Sequence, residues 1–317
     1  MLSEGHIVVF GGGTGLSVLL QGLKKHTSSL TAVVTVTDDG GSSGRLRDEL
    51  GVLPPGDIRN CLVALADRES LMEELFQYRF PQGDQDIGHC LGNLLLVAMS
   101  DITGDFVSGI QAISKVLAVS GQVLPATLDN VNLGAVMKDG SFLYGETAIR
   151  ASRKGIERLF LVPSVCHPLD ATLAAVAEAD AIIIGPGSLY SSVIPNLLVD
   201  KIPEAIAASK ACKIYVANIM TEAGETDAFS AADHVREIEK YLGQHVLDYV
   251  LVNESCLDEK RQELYQQEEA QPVLEDHEAL ESLDIRIVRG DLLAAGGQAW
   301  HDPDKLAQLI MDVWRPF

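Results

Sequence analysis

The chain has 317 residues, 47% hydrophobic but only 5% aromatic, a Leu-, Val-, Ile- and Ala-rich balance that suits one or two domains built on a parallel sheet covered by helices. Its formal net charge of −21 argues against a nucleic-acid partner, because there is no basic face to release counterions. Five widely spaced cysteines without a C-x-x-C pair point to reduced thiols in a cytoplasmic protein, not to disulfides or zinc. The first strand is expected within a few residues of the start, so no signal peptide is expected. The longest apolar run, near Leu94–Met99, is too short to cross a bilayer.

In chain order, Ile7-Val-Val-Phe10 runs straight into Gly11, Gly12, Gly13, Thr14 and Gly15, and helical spacing follows at Leu16, Leu19, Leu20 and Leu23. A buried strand, a backbone-only turn and a helix start form the geometry in which free N–H groups and the helix dipole hold an anion. The two commonest phosphate motifs are absent. A Walker loop needs Lys-Ser/Thr where Leu16-Ser17 stand, and the dinucleotide spacing G-x-G-x-x-G fails because Leu16 or Val18 replaces the third glycine. A tight connection without function is the alternative, set against the entropy cost of four glycines in five residues.

A second strand, 31–36, ends in Thr37-Asp38-Asp39 and opens into Gly40-Gly-Ser-Ser-Gly-Arg45. Its carboxyl end should lie beside the glycine loop. Acids there can accept ribose hydroxyls, and Asp38 with Asp39 can hold Mg²⁺ through oxygen ligands. An Asx turn is the plain alternative. An anionic protein must bind an anionic ligand through local dipoles and arginines, of which Arg45 is the nearest in sequence. Pro54-Pro55-Gly56 then makes a stiff corner, with Asp57 suited to cap the next helix and Arg59 and Asn60 in its first turn able to face a ligand. Segments 57–66, 70–79, 87–100 and 105–119 carry helical spacing. His89 within them reads more readily as structural than as a ligand. A β pair at Val131–Met137 and Ser141–Tyr144 follows.

Further strands are expected at 156–162, 180–184, 212–217 and 247–252. The strand near 182 feeds a second glycine turn, Gly185-Pro186-Gly187-Ser188-Leu189-Tyr190, and Pro195 then breaks the helix beside the Asn196 amide. Two such turns can share a diphosphate and a sugar or second phosphate. Asn218, after the 212–217 strand, can read a base or sugar edge. Between Leu251 and Asp284, eleven Asp/Glu face two Lys/Arg, a solvated acidic surface. Asp302-Pro303 caps a last helix, about 303–313. Alternating β and α units make this an α/β chain with a Rossmann-like, doubly wound, mostly parallel sheet. Residues 1–317 are expected to form a single domain, with a mainly helical elaboration at about 40–150 after the second strand. No Ser/His/Asp order or metal-ligand spacing assigns a catalytic residue.

The set Gly-Gly-Gly-Thr-Gly, Thr-Asp-Asp-Gly-Gly-Ser-Ser-Gly-Arg, Pro-Pro-Gly-Asp-Ile-Arg-Asn, Gly-His-Cys-Leu-Gly-Asn and Gly-Pro-Gly-Ser-Leu-Tyr-Ser-Ser-Val-Ile-Pro-Asn resembles the bacterial gluconeogenesis factor (YvcK, also GlmR) family. That family lies in the CofD-like superfamily, and the resemblance runs from Ile7 to the last helix. It implies a regulator that binds UDP-sugars such as UDP-N-acetylglucosamine or UDP-glucose and supports cell shape and wall-precursor supply on gluconeogenic carbon. Cell-wall-precursor or sugar-phosphate enzymes are then the expected partners, besides the nucleotide sugar and a second copy of the chain. The superfamily's founding activity, 2-phospho-L-lactate transferase, implies the alternative of a Mg-dependent transferase on a nucleotide-diphosphate-linked substrate. By the same resemblance Gly11–Gly15 would cradle the diphosphate, Asp38 and Asp39 would lie at the ribose or metal, and Gly185–Ser188 with Asn196 would hold the nucleotide sugar. Relatives commonly carry an arginine before the final His-Asp pair. Here Trp300 precedes His301, a side chain able to stack on a base or ring.

Overall fold

The computed structural model describes residues 5–67, 70–81 and 87–314. From β1 (Ile7–Gly11) the chain passes through α1 (Gly13–Leu23) to β2 (Leu30–Val34). Then come α2 (Gly41–Leu50), α3 (Gly56–Leu65), α4 (Ser70–Gln77), the short antiparallel strands β3 (Arg79–Pro81) and β4 (Ile87–Cys90), α5 (Leu91–Thr103) and α6 (Phe106–Leu117). β5 (Gln122–Pro125), β6 (Asn132–Met137), β7 (Phe142–Tyr144), α7 (Glu146–Ser152), β8 (Ile156–Val162) and α8 (Asp170–Ala177) lead to β9 (Ala181–Ile184). A π turn (Leu189–Val193), α9 (Ile194–Leu197) and α10 (Ile202–Ala208) connect to β10 (Cys212–Val216), and α11 (Ala231–Leu242) to β11 (Tyr249–Asn253). The chain closes with α12 (Glu259–Gln267), α13 (His277–Ser282), β12 (Arg286–Gly290) and α14 (Pro303–Trp314).

Seven strands form one parallel sheet in the order β12-β11-β10-β9-β1-β2-β5. Every residue of β1, β2 and β9 is buried, which is why these strands read as unbroken apolar runs and not as an alternation. The chain builds outward from β1 to β2 and β5, then returns to β9 on the other flank of β1 and builds away again. The β1/β9 seam is therefore the switch point of the sheet, where ligands of open α/β folds bind outside the strand carboxyl ends.

Three details differ from the sequence reading. Residues 156–162 form a strand, but β8 pairs antiparallel with β6, and β6 with β7, in a separate three-stranded sheet. The burial of β8 is one-sided, with Ile156, Leu159 and Leu161 inward and Glu157, Arg158 and Val162 exposed, as a half-solvated antiparallel strand requires. The two edges of the main sheet, β5 and β12, were not expected, and β5 brings the 40–150 elaboration back into the sheet. The segment 87–100 is not one helix, because β4 occupies 87–90 before α5 begins.

Among the described residues no single helix is long and apolar enough to cross a membrane. All five cysteines are free thiols. The cap at Asp302 forms as expected, its Oδ1 accepting the Asp304 and Lys305 N–H groups at 3.0 Å each. α14 then lies across α1 at Gly22, where an added Cβ would sit 1.9 Å from the Pro303 carbonyl oxygen. Gly22→Ala must push the helices apart, and should cost roughly 1–3 kcal/mol, read as a lower denaturant midpoint in urea unfolding. An unchanged midpoint would mean that α14 does not pack there.

Candidate functional site

The site grows from the seam. Phe10 and Ile184 are register partners, so β1 and β9 release their glycine turns at the same level. The first turn passes through Gly13 (φ +61°) into α1, whose N-terminus has no side-chain cap. The second passes through Gly185 (φ +79°) and Gly187 (φ +155°). The turns touch: a Cβ on Gly15 would lie 2.5 Å from the Pro186 carbonyl oxygen, and one on Gly12 2.7 Å from Asp57 Oδ2. Gly15 answers a close approach of backbone to backbone and Gly12 one of backbone to side chains, a packing reason that the sequence did not reveal.

Over the seam opens a cavity of about 890 Å³, within the range of small-molecule sites. Thr14 and Gly15 wall it from α1, Asp38 and Gly40 from the end of β2, and Pro186, Gly187 and Ser188 from the second turn. Glu146, Thr147 and Arg150 enter from α7 and Arg153 from the residue after it, Asn218 through Ala223 from the loop after β10, Tyr265 and Glu268 from α12 and the residue after it, and Gln298 through His301 from the loop before α14. Of the sequence candidates, then, Thr14, Gly15, Asp38, Gly187, Ser188 and Asn218 converge on one space.

The other candidates lie behind or beside that wall. Gly11, Gly12, Gly13 and Gly185 form the turns beneath it. Asp57 does not cap its own helix, whose N-terminus has no side-chain cap; its carboxylate accepts the Gly13 N–H instead. Burial, aided by the Asp38 charge, pushes the Asp57 pKa up to about 6 against the lowering effects of Gly13 and Arg59. Asn196 is fully buried and donates to the Gly11 and Ser192 carbonyls (3.2 and 2.8 Å). Pro195 sits in the first turn of α9 and does not break a helix to expose that amide. Tyr190 is buried edge-on to Phe229. Asp39 turns away to α7, accepting the Thr147 N–H (3.0 Å) and hydroxyl (2.6 Å). Asn60 accepts from Arg59 (2.6 Å), and neither it nor Arg45 is part of the cavity wall.

The nests are also partly occupied by the protein itself. Asn218 Oδ1 accepts the Gly187 N–H at 3.2 Å, much as Asp57 takes that of Gly13. Carboxylates crowd the wall. Burial first, then the charges of Asp38, Asp57, Asp39 and Glu225, raise Glu146 to about 8. The Ser188 hydroxyl lies 2.8 Å from Glu222 and 2.9 Å from Glu225, and burial pushes both carboxyls up. A hydroxyl has one proton to give, so this arrangement is satisfied when one of the two acids carries the second. Arg150 tempers both acids, and Arg153 pairs with Glu269 at the rim. His301 donates to the Ala217 carbonyl, and burial lowers its pKa to about 4, so it is neutral at physiological pH. Among the described residues no three His, Cys, Asp or Glu side chains converge as a metal centre.

Residues 7–293 match the family model described as 2-phospho-L-lactate transferase CofD. The gluconeogenesis factor of Bacillus subtilis is 48% identical over 308 residues, covering 97% of each chain. The chain belongs to the gluconeogenesis factor family of CofD-like proteins. The family's gluconeogenesis factor from Listeria innocua is 44% identical over 96% of this chain and 94% of its own. A crystal structure of a Bacillus halodurans protein superposes with a TM-score of 0.94 at 47% identity, over 98% of this chain and all of that one. In this CofD-like chain the residues that sequence reasoning missed are Glu146, Arg150 and Arg153, together with Glu222 and Glu225. They stand on a short helix and a loop with no motif, and only the fold turns them inward.

A carboxyl whose folded pKa exceeds its unfolded value gives stability that is lost as pH rises through the folded value. With Glu146 moved from 4.5 to about 8, the ligand-free protein should lose roughly 2–3 kcal/mol from this residue between pH 6 and 9. Glu146→Gln should therefore unfold at a higher temperature than the parent at pH 9 and flatten its Tm profile. A parallel profile in the variant would remove Glu146 from the titration.

Proposed function

We propose that the cavity binds a nucleoside-diphosphate sugar of the UDP-N-acetylglucosamine or UDP-glucose type, and that the protein is a cytoplasmic regulator of gluconeogenic growth, cell shape and wall-precursor supply. The observation that carries this reading is the pair of glycine turns side by side at the switch point of the sheet, opening into one ligand-sized space. A diphosphate there meets the start of α1 at Thr14 and Gly15 and the guanidinium of Arg150. Backbone amides and a helix start favour holding an anion. The name gluconeogenesis factor, carried by relatives at 44–48% identity over nearly their full length, supports the regulatory half of the reading. Its effect then passes through partner enzymes of wall-precursor or sugar-phosphate metabolism.

A second reading, a transferase on a nucleotide-diphosphate-linked substrate, is favoured by Asp38 and Glu146 on the same wall. Two carboxylates beside a phosphate site fit Mg²⁺, which takes one or two such ligands and keeps several waters. Asp39 fits less well, since Thr147 already holds one of its oxygens. A bound ion would offset the carboxylate charge and polarise phosphoryl oxygens.

Titration calorimetry with UDP-N-acetylglucosamine, UDP-glucose, GDP and NAD⁺, each with and without Mg²⁺, separates the readings. UDP-sugars should bind most tightly, and Arg150→Ala should weaken them about tenfold, the loss of one charge-assisted contact. Binding of NAD⁺ in preference to UDP-sugars would overturn the proposal. Sustained Mg²⁺-dependent turnover of a nucleotide-linked substrate would transfer support to the second reading.

A further inference from the structure

Residues 294–300 form a loop closed at its base. Leu293 bridges His301, the Ala294 N–H donates to the Trp300 carbonyl at 2.9 Å, and the Asp302 N–H to the Leu292 carbonyl at 2.7 Å. The inner side of this loop presents Gln298, Ala299 and Trp300 to the cavity. Its tip is Gly296-Gly297, both at positive φ (+71° and +65°), with no atom within 4 Å of where a Cβ would stand. No side chain packs where a Cβ would stand at the tip, so its order rests on contacts to its backbone.

Those contacts come from α12. Arg261 is 6% exposed; beside its 3.5 Å ion pair with Asp258, one turn before it, its guanidinium bonds the backbone of this loop. Nε donates to the Gly297 carbonyl at 3.2 Å, and Nη2 to those of Ala294 at 2.8 Å and Gly296 at 2.7 Å. One turn further on, the Tyr265 hydroxyl accepts the Ala299 N–H at 2.9 Å. Arg261 itself is outside the cavity wall, on the far side of the loop. A planar, permanently charged fork suits the bridging of several fixed carbonyls, and a buried one is costly without them. The loop and the arginine therefore order each other.

We propose that Arg261 is a positioning residue that holds the 294–300 loop in its ligand-facing form before any ligand arrives. The proposal rests on the reading of the cavity as a nucleotide-sugar site. A wall ordered in advance spares the ligand the entropy of ordering it. Arg261→Ala leaves a glycine tip without its tether, and the ligand must then order it on binding.

The test uses the full chain carrying Trp314→Phe, which leaves Trp300 as the single tryptophan reporter of the two in the sequence. Arg261→Ala and Arg261→Lys are compared with that parent by amide exchange, tryptophan emission and calorimetric titration with UDP-N-acetylglucosamine. In the free protein, Arg261→Ala should speed exchange at Ala294, Ala299 and Trp300 and change the Trp300 emission. Its affinity should fall about tenfold, the cost of ordering a few loop residues. Arg261→Lys keeps donors for part of the carbonyl set and should restore part of both effects. Loop exchange and emission matching the parent would overturn the proposal, and so would a loosened loop with unchanged affinity. If the parent binds none of the nucleotides, the reading of the cavity fails, while exchange and emission still decide whether Arg261 orders the loop. If Arg261→Ala does not fold, Arg261→Lys carries the same comparison.

Discussion

The close approach of Gly15 to the Pro186 carbonyl is the constraint on which the site depends. It joins the two halves of the sheet at their seam, bringing the start of α1 against the turn that leaves β9. Gly15 could not bear a side chain there without parting the two turns, since 2.5 Å to a backbone oxygen leaves nothing flexible to move. The same contact limits which donors remain for a ligand. Asp57 and Asn218 already take the Gly13 and Gly187 amides and Ser188 is engaged by Glu222 and Glu225, so any capacity to hold an anion lies further out, at Thr14, Gly15 and Arg150. The turns set the stage, and the side chains above them decide what is bound.

Those side chains carry an electrostatic tension. Asp38, Glu146 and Glu222 share the cavity wall with Arg150 and Arg153, and Arg153 is already paired with Glu269. Adding a diphosphate to such a wall raises the repulsion unless protons, a cation or a rearranged arginine offset it. The raised pKa of Glu146 and the hydroxyl shared by Glu222 and Glu225 point to one way of relieving that tension, by carboxyls that hold protons more tightly than exposed ones do. An anion bound in this cavity would consequently be linked to proton binding, whichever chemistry it served.

The interior of the fold was legible because its strands are buried on both faces. Ile7–Phe10, Leu30–Val34 and Ala181–Ile184 have no polar alternation to confuse with a helix, and each ends in glycine or Thr-Asp signals. The edges were not. β5 is four residues long, and β12, Arg-Ile-Val-Arg-Gly, is partly exposed, so neither carries the apolar weight of a central strand. β8 was seen as a strand yet assigned to the wrong sheet, because pattern reveals burial before it reveals partners. On the cavity wall, Thr14, Gly15, Asp38, Gly187 and Ser188 stand in glycine or Thr-Asp motifs and Asn218 at a strand end, whereas α7 has no local signature and acquires its place through tertiary contact alone. Asp39 shows the converse: in sequence it is indistinguishable from Asp38, yet it caps a neighbouring helix while Asp38 faces the cavity.

The walls of the cavity come from segments far apart in the chain: α7, the loop after β10, α12 and the loop before α14. Three of the four also reach the outer surface, at Arg150, at Glu268 just after α12 and at Trp300. A ligand that binds by contacting several such segments favours the arrangement in which they meet, and disfavours arrangements in which they do not. The surface offered to another protein then differs between the filled and empty states by the ligand's differential affinity, and by no more than that. A transferase needs this convergence to orient reactants; a regulator needs it to report occupancy. The geometry serves both, but only the first also requires a group that makes or breaks a bond. The regulatory reading thus asks least of the residues present, since it needs only that the walls hold the ligand and move together.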